Sequence, residues 1–78
     1  MIEVNVRGFS RGVPTVRTQK AMKKNPGETL LVLVDTAWAK EDITRLGEIC
    51  GYSVNSTKTP NGYDIVLTPE RASSKPAA

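Results

Sequence analysis

One thiol and a cluster of guanidinium groups are the side chains of this chain best suited to chemistry. Cys50 is the single cysteine, and Arg7, Arg11 and Arg17 crowd the first quarter of the sequence, with Lys20 close behind. A thiolate serves as a nucleophile or a soft metal ligand. Guanidinium groups beside the free N–H groups of a helix start can close around a phosphate, a sulfate or a carboxylate. Such a helix would open near Pro14. Arg7, Arg11, Gly12, Pro14, Arg17 and Lys20 therefore form a candidate site for an anion or a partner protein. The alternative for Arg11 is that it points into water.

What is missing narrows the chemistry. A single cysteine precludes an internal disulfide, and the absence of histidine leaves no zinc cluster to build. The expectation is a protein with no metal and no cofactor. There is no set of paired carboxylates and no Ser/His/Asp constellation, and Gly8 and Gly12 are too sparse for a phosphate-binding loop.

The net charge of +3 is unevenly placed. Residues 1–24 carry six cations against Glu3, a balance of +5, whereas residues 25–50 carry two cations against five acids, a balance of −3. That asymmetry can mark a surface for an acidic partner or nucleic acid, but for the lysines alone the better reading is a helix face turned to water. Few aromatic residues and no recognisable RNA-binding motif disfavour nucleic acid. The longest apolar run, Leu30 to Val34, is strand length, far short of the ~20 residues that span a bilayer. No basic flank followed by an apolar stretch opens the chain. A cytoplasmic protein without a membrane segment is expected.

A small scaffold must position these groups. Seventy-eight residues suffice for one core and one domain. Ile2, Val4 and Val6 alternate with Glu3 and Asn5, the period of a half-buried strand. Pro14, Thr18, Ala21 and Met22 then recur at helical spacing, with Arg17, Lys20 and Lys24 opposite, and Asn25-Pro26-Gly27 ends that helix. Thr29 to Val34 is nearly all apolar and predicts a central strand. Leu31 and Leu33 would face away from the helices as a docking patch, unless flanking chains such as Tyr63 shelter them. Asp35 or Thr36 would cap a second helix, with Glu41 and Asp42 favouring its positive end. Ala39, Ile43, Leu46 and Cys50 form its apolar stripe, Trp38 precedes that stripe as a staple or an exposed contact, and Gly51 stops the helix.

Residues 52–58 and 63–68 read as strands joined through Pro60-Asn61-Gly62, an Asn-Gly hairpin in which both residues accept positive φ. Residues 1–69 form the predicted domain, and residues 70–78, rich in Ser, Pro and Ala, a disordered tail. The order is β-α-β-α-β-β. Two helices with one apolar stripe each predict an α/β two-layer sandwich, a four-stranded mixed sheet with both helices on one face.

The segment Arg7-Gly8-Phe9-Ser10-Arg11-Gly12-Val13-Pro14 resembles the active loop of TusA/SirA-like small sulfur-carrier proteins, which runs roughly Arg-Gly-Leu-x-Cys-Pro-x-Pro. Arg7, Gly8 and Phe9 fill its opening positions and Pro14 its second proline, but Arg11 stands at the cysteine and Gly12 at the first proline. The similarity runs over roughly residues 2–68, through Thr18, Ala21 and Met22, Pro26-Gly27-Glu28, Val34-Asp35, Ala39, Asp42-Ile43 and Gly51-Tyr52. The resemblance implies the same sandwich. It also implies that the cysteine which carries a persulfide in the family, held as thiolate by a helix start, is gone.

Three functions follow. The first is a non-catalytic TusA-like protein, an accessory or regulatory binding module in sulfur trafficking. It would contact a sulfur-transfer enzyme or carrier through Arg7 to Arg17. The second is a sulfur carrier or sulfurtransferase using Cys50. Against it, Cys50 falls on the buried stripe, where thiols are inert, and at a helix C-terminus, whose dipole opposes a thiolate. The third is nucleic-acid binding through the basic first helix.

Overall fold

A computed structural model describes residues 1–70. Its elements run β1 (Ile2–Asn5), α1 (Val13–Lys24), β2 (Leu30–Val34), α2 (Ala37–Ile49), β3 (Tyr52–Thr59) and β4 (Gly62–Pro69). The expected order and the two-layer α/β sandwich are borne out. The sheet order is β1-β2-β4-β3, with β1 parallel to β2 and the other pairs antiparallel. The apolar β2 is thus central. The predicted tail, residues 70–78, lies outside the described residues except for Glu70, whose N–H donates to Gly51 O at 3.0 Å.

The register sorts the two faces. Val4 pairs with Val32 and Val32 with Ile65, and Leu30 lies opposite Leu67. These residues meet Met22 of α1 and Ala39 and Ile43 of α2 in a core where Leu30, Val32, Val34, Ile43, Ile65 and Leu67 are fully buried. Glu3, Leu31 and Val66 share the opposite face, as do Asn5, Leu33 and Asp64. Leu31 and Leu33 do face away from the helices, but Glu3, Asn5 and Asp64 flank them with Val66 as the one apolar partner, and Leu33 is buried. Tyr63 does not shelter them: it pairs with Val34, on the helix side.

Cys50 departs from expectation. The buried positions of α2 are Ala39, Ile43 and Gly47, and Cys50 is exposed. It is the C-cap residue, where helical periodicity ends, and the stripe has already finished at Gly47. The sheet approaches closely there, so a methyl group at Gly47 would come within 2.8 Å of Leu67 Cδ2 and 2.9 Å of Val54 Cγ2. The hairpin differs too. Its loop is Pro60-Asn61, Asn61 does not take positive φ, and Gly62 alone does, at 137°.

Candidate functional site

The connection from β1 to α1 is tied down rather than loose. Val6 is buried and donates to Leu33 O at 3.0 Å, the last bond of the β1 edge. Gly8 turns the chain at φ 79°, and its N–H donates to Asp35 Oδ2 at 3.0 Å. Sequence reading offered Asp35 or Thr36 as the cap of α2. Thr36 takes that role, accepting from Ala39 N–H at 3.2 Å, which frees Asp35 to hold the loop 27 residues before it. The hairpin tip buttresses the same place. A side chain at Gly62 would overlap the Val34 carbonyl oxygen and lie 2.6 Å from Asp35 Cα.

The mouth of α1 is a poor cradle for a small anion. Gly12 is its N-cap with no side-chain bond, and its first turn holds no acid. Val13 N–H is already spent on Ser10 O at 3.2 Å, and Pro14 has no N–H. Thr15 is left as the first-turn donor, too little for the multi-donor grip such sites require.

Each arginine has a setting of its own. Arg11 lies over the Trp38 ring, 5.3 Å from its centroid, with Nε 3.8 Å from Asp42 Oδ2. Arg45 approaches the other oxygen of Asp42 at 3.6 Å. Asp42 therefore serves these side chains and not the positive end of α2, whose first turn contains no acid. Arg17 covers the Phe9 ring at 4.5 Å. Arg7 is half-buried, with its Nε enclosed and unpartnered. Pro14 is buried, so it shapes the site without presenting a surface. What remains together is an open groove of about 570 Å³ lined by Arg11, Gly12, Val13, Val16, Arg17 and Lys20. Its cationic rim and its valines suit a protein surface better than an ion. Exposed Phe9 and Val16 extend that character.

Trp38 settles between its two expected roles: it packs against the core while its ring forms a platform for Arg11. Sequence reading missed Asp35 as the loop's anchor and Phe9 as the partner of Arg17. The first contact depends on how β1 and β2 align, and the second on how the loop folds back on α1.

Cys50 sits apart, eight residues beyond Asp42, or about 12 Å along a helix. Its N–H bonds back to Leu46 O at 3.0 Å, and its thiol is open to solvent. The neighbouring Tyr52 has its phenol pKa raised, first by burial and then by the charge of Cys50. Among the described residues there is no cluster of His, Cys, Asp and Glu suited to a metal ion, and no helix is long and apolar enough to cross a membrane.

Residues 2–68 match the family model described as Sulfurtransferase TusA. The chain belongs to the TusA family. Its fold is also similar to the crystal structure of the SirA-like protein from Desulfitobacterium hafniense. That match has a TM-score of 0.81 and 24% identity over 87% of this chain and 96% of that one. No curated protein matches the chain. For this TusA-family chain, the match takes in the whole of the loop, α1 and its groove, including Arg11.

Proposed function

We propose that this TusA-family chain serves sulfur trafficking by binding, as a non-catalytic accessory or regulatory module that docks on a sulfur-transfer enzyme or carrier. The observation that carries the reading is the setting of Arg11. At the head of α1, where the family loop bears its persulfide cysteine, stands a guanidinium held over Trp38 and against Asp42. A guanidinium cannot bond sulfane sulfur. The groove beside it, cationic at the rim and floored by Val13 and Val16, supports protein contact.

The test is retention of cysteine desulfurases and TusA-type carriers from the source organism on the immobilised chain, with the mass of the chain followed alongside. Retention without a persulfide adduct is expected. No enrichment of any of them counts against the proposal, as does rapid persulfide formation on the unmodified chain.

The exposure of Cys50 favours a second reading, a sulfur carrier that uses this thiol, more than its place on the helical projection did. It is separated by loading the chain with a desulfurase and comparing it with Cys50→Ser. An adduct lost in the variant would select the second reading.

A further inference from the structure

The geometry points to the outer edge of β1 as a docking strip for an extended, acidic segment of a partner protein, which joins the sheet as a fifth strand. The inference rests on the binding-module reading above but uses the edge of β1, a surface that adjoins the loop groove and shares Arg17 and Lys20 with it.

β1 is an edge strand bonded only to β2. Ile2 N–H donates to Thr29 O at 2.9 Å and Val6 N–H to Leu33 O at 3.0 Å, both toward β2. Strand alternation then directs the N–H and C=O groups of Glu3 and Asn5 away from the sheet, toward solvent. Edges of this kind are usually guarded by lysine, proline or a bulge. β1 reads Ile-Glu-Val-Asn and carries none of these; its guards are its four-residue length and the single charge of Glu3, which leave the outward backbone groups uncovered. Beside it runs a groove of about 370 Å³, lined by Ile2, Val4 and Ala21 and by Arg17, Lys20 and Lys24, with Glu3 as its one acid against these three cations. An added strand would alternate its side chains between this groove and the open face of the sheet. Glutamates on the groove side would lay their methylenes on the apolar lining and bring carboxylates to the three cations. On the other side Glu3 disfavours acids, so uncharged residues belong there.

Charge selects this occupant over the alternatives. A second copy pairing edge to edge would bring two sets of Arg17, Lys20 and Lys24 together. Residues 71–78 of the chain itself carry Arg71 and Lys75 and no acid. The other sheet edge, β3, lacks the complement: the groove beside it mixes Lys40 and Arg45 with Glu41 and Glu48.

The test uses the full chain labelled with ¹⁵N and a blocked seven-residue peptide alternating glutamate and valine, with its lysine-for-glutamate counterpart as control. The acidic peptide should shift the amides of Glu3 and Asn5 and slow their hydrogen exchange at least about fivefold, because bonded strand amides are protected. Added salt should weaken it. Lys20→Glu combined with Lys24→Glu, on the exposed face of α1, should cut affinity about tenfold through lost charge complementarity. Glu3→Pro removes one outward donor and none of the bonds to β2, and should cost at least about fivefold, since proline is tolerated where a strand N–H faces solvent. No binding, equal binding of the lysine peptide, or affinity indifferent to the charge reversal would each overturn the inference. Shifts centred on residues 9–17 with quiet edge amides would also overturn it while leaving the loop groove intact. Failure of the desulfurase-retention experiment with the edge response intact would do the reverse.

Discussion

Residues 7–17 and residues 47–52 divide between them what a sulfur carrier needs in one place. The first region has a pinned loop, the positive end of a helix and a basic surround, but its key position is Arg11. The second has an accessible thiol, but at the C-terminal end of α2 with no comparable scaffold. Helix ends differ in sign, and negative sulfur belongs at the N-terminal one. A nucleophile is therefore a matter of position as much as of residue type. The same fold supplies a helix N-terminus with nearby cations but no thiol, and a thiol without either.

The hardest way to break this comparison is to remove the support of the first region and leave the second untouched. Gly62 lies at φ 137° with its open side against the Val34 carbonyl and Asp35. Gly62→Ala should destabilise the protein by about 2–4 kcal/mol, from steric overlap and a backbone conformation alanine disfavours. In a domain of this size the thermal midpoint falls by ~10–20 °C. Below that midpoint, exchange at the Gly8 amide should quicken as Asp35 is displaced, whereas alkylation of Cys50, already exposed, should keep its rate. Equal perturbation of both would show that the regions are not independent.

A sharper test exchanges the chemistry. Arg11→Cys with Gly12→Pro, made in a Cys50→Ser background, places a thiol at the head of α1 beside Arg17 and Lys20. Its alkylation near neutral pH should run about tenfold faster than that of Cys50 in the unaltered chain, the gain expected from a helix N-terminus and nearby cations. Equal rates would mean that the loop has lost more than its nucleophile. Sulfur loading by a desulfurase then reports whether the scaffold alone suffices.

Much of this architecture was legible because it rests on short-range rules. The alternation of Ile2, Val4 and Val6, the Pro14–Thr18–Met22 stripe and the apolar β2 each fix an element from its own residues, and the register confirms them. Errors fell where long-range geometry decides. Cys50 projects onto the buried face of α2, yet the helix ends there and the sheet beneath needs only Gly47. The sequence likewise could not show that Arg11 and Arg17, which do line one groove, each also hold a separate partner, Trp38 and Asp42 for the first and Phe9 for the second. Asp35 looked like a cap, because nothing local in the sequence reveals that Gly8 will arrive beside it.

The smallest effect probes the second region from within. Tyr52 is held neutral above its ordinary pKa of 10.0, mainly by burial and secondarily by Cys50. Cys50→Ser removes only the second cause, so the Tyr52 midpoint should fall while staying above the ordinary value, as residue-resolved NMR of the ring carbons would record. The sign for stability follows from linkage. A folded-state pKa raised above the unfolded value stabilises the protein fully below that unfolded value, and the contribution is lost as pH climbs through the folded one. Cys50→Ser should narrow that alkaline window from its upper side. An unmoved midpoint would mean that the thiol does not act on Tyr52 and that burial alone raises its pKa. Cys50 would then have no charge coupling to Tyr52, which widens the contrast with Arg11, whose charge is engaged by Trp38 and Asp42.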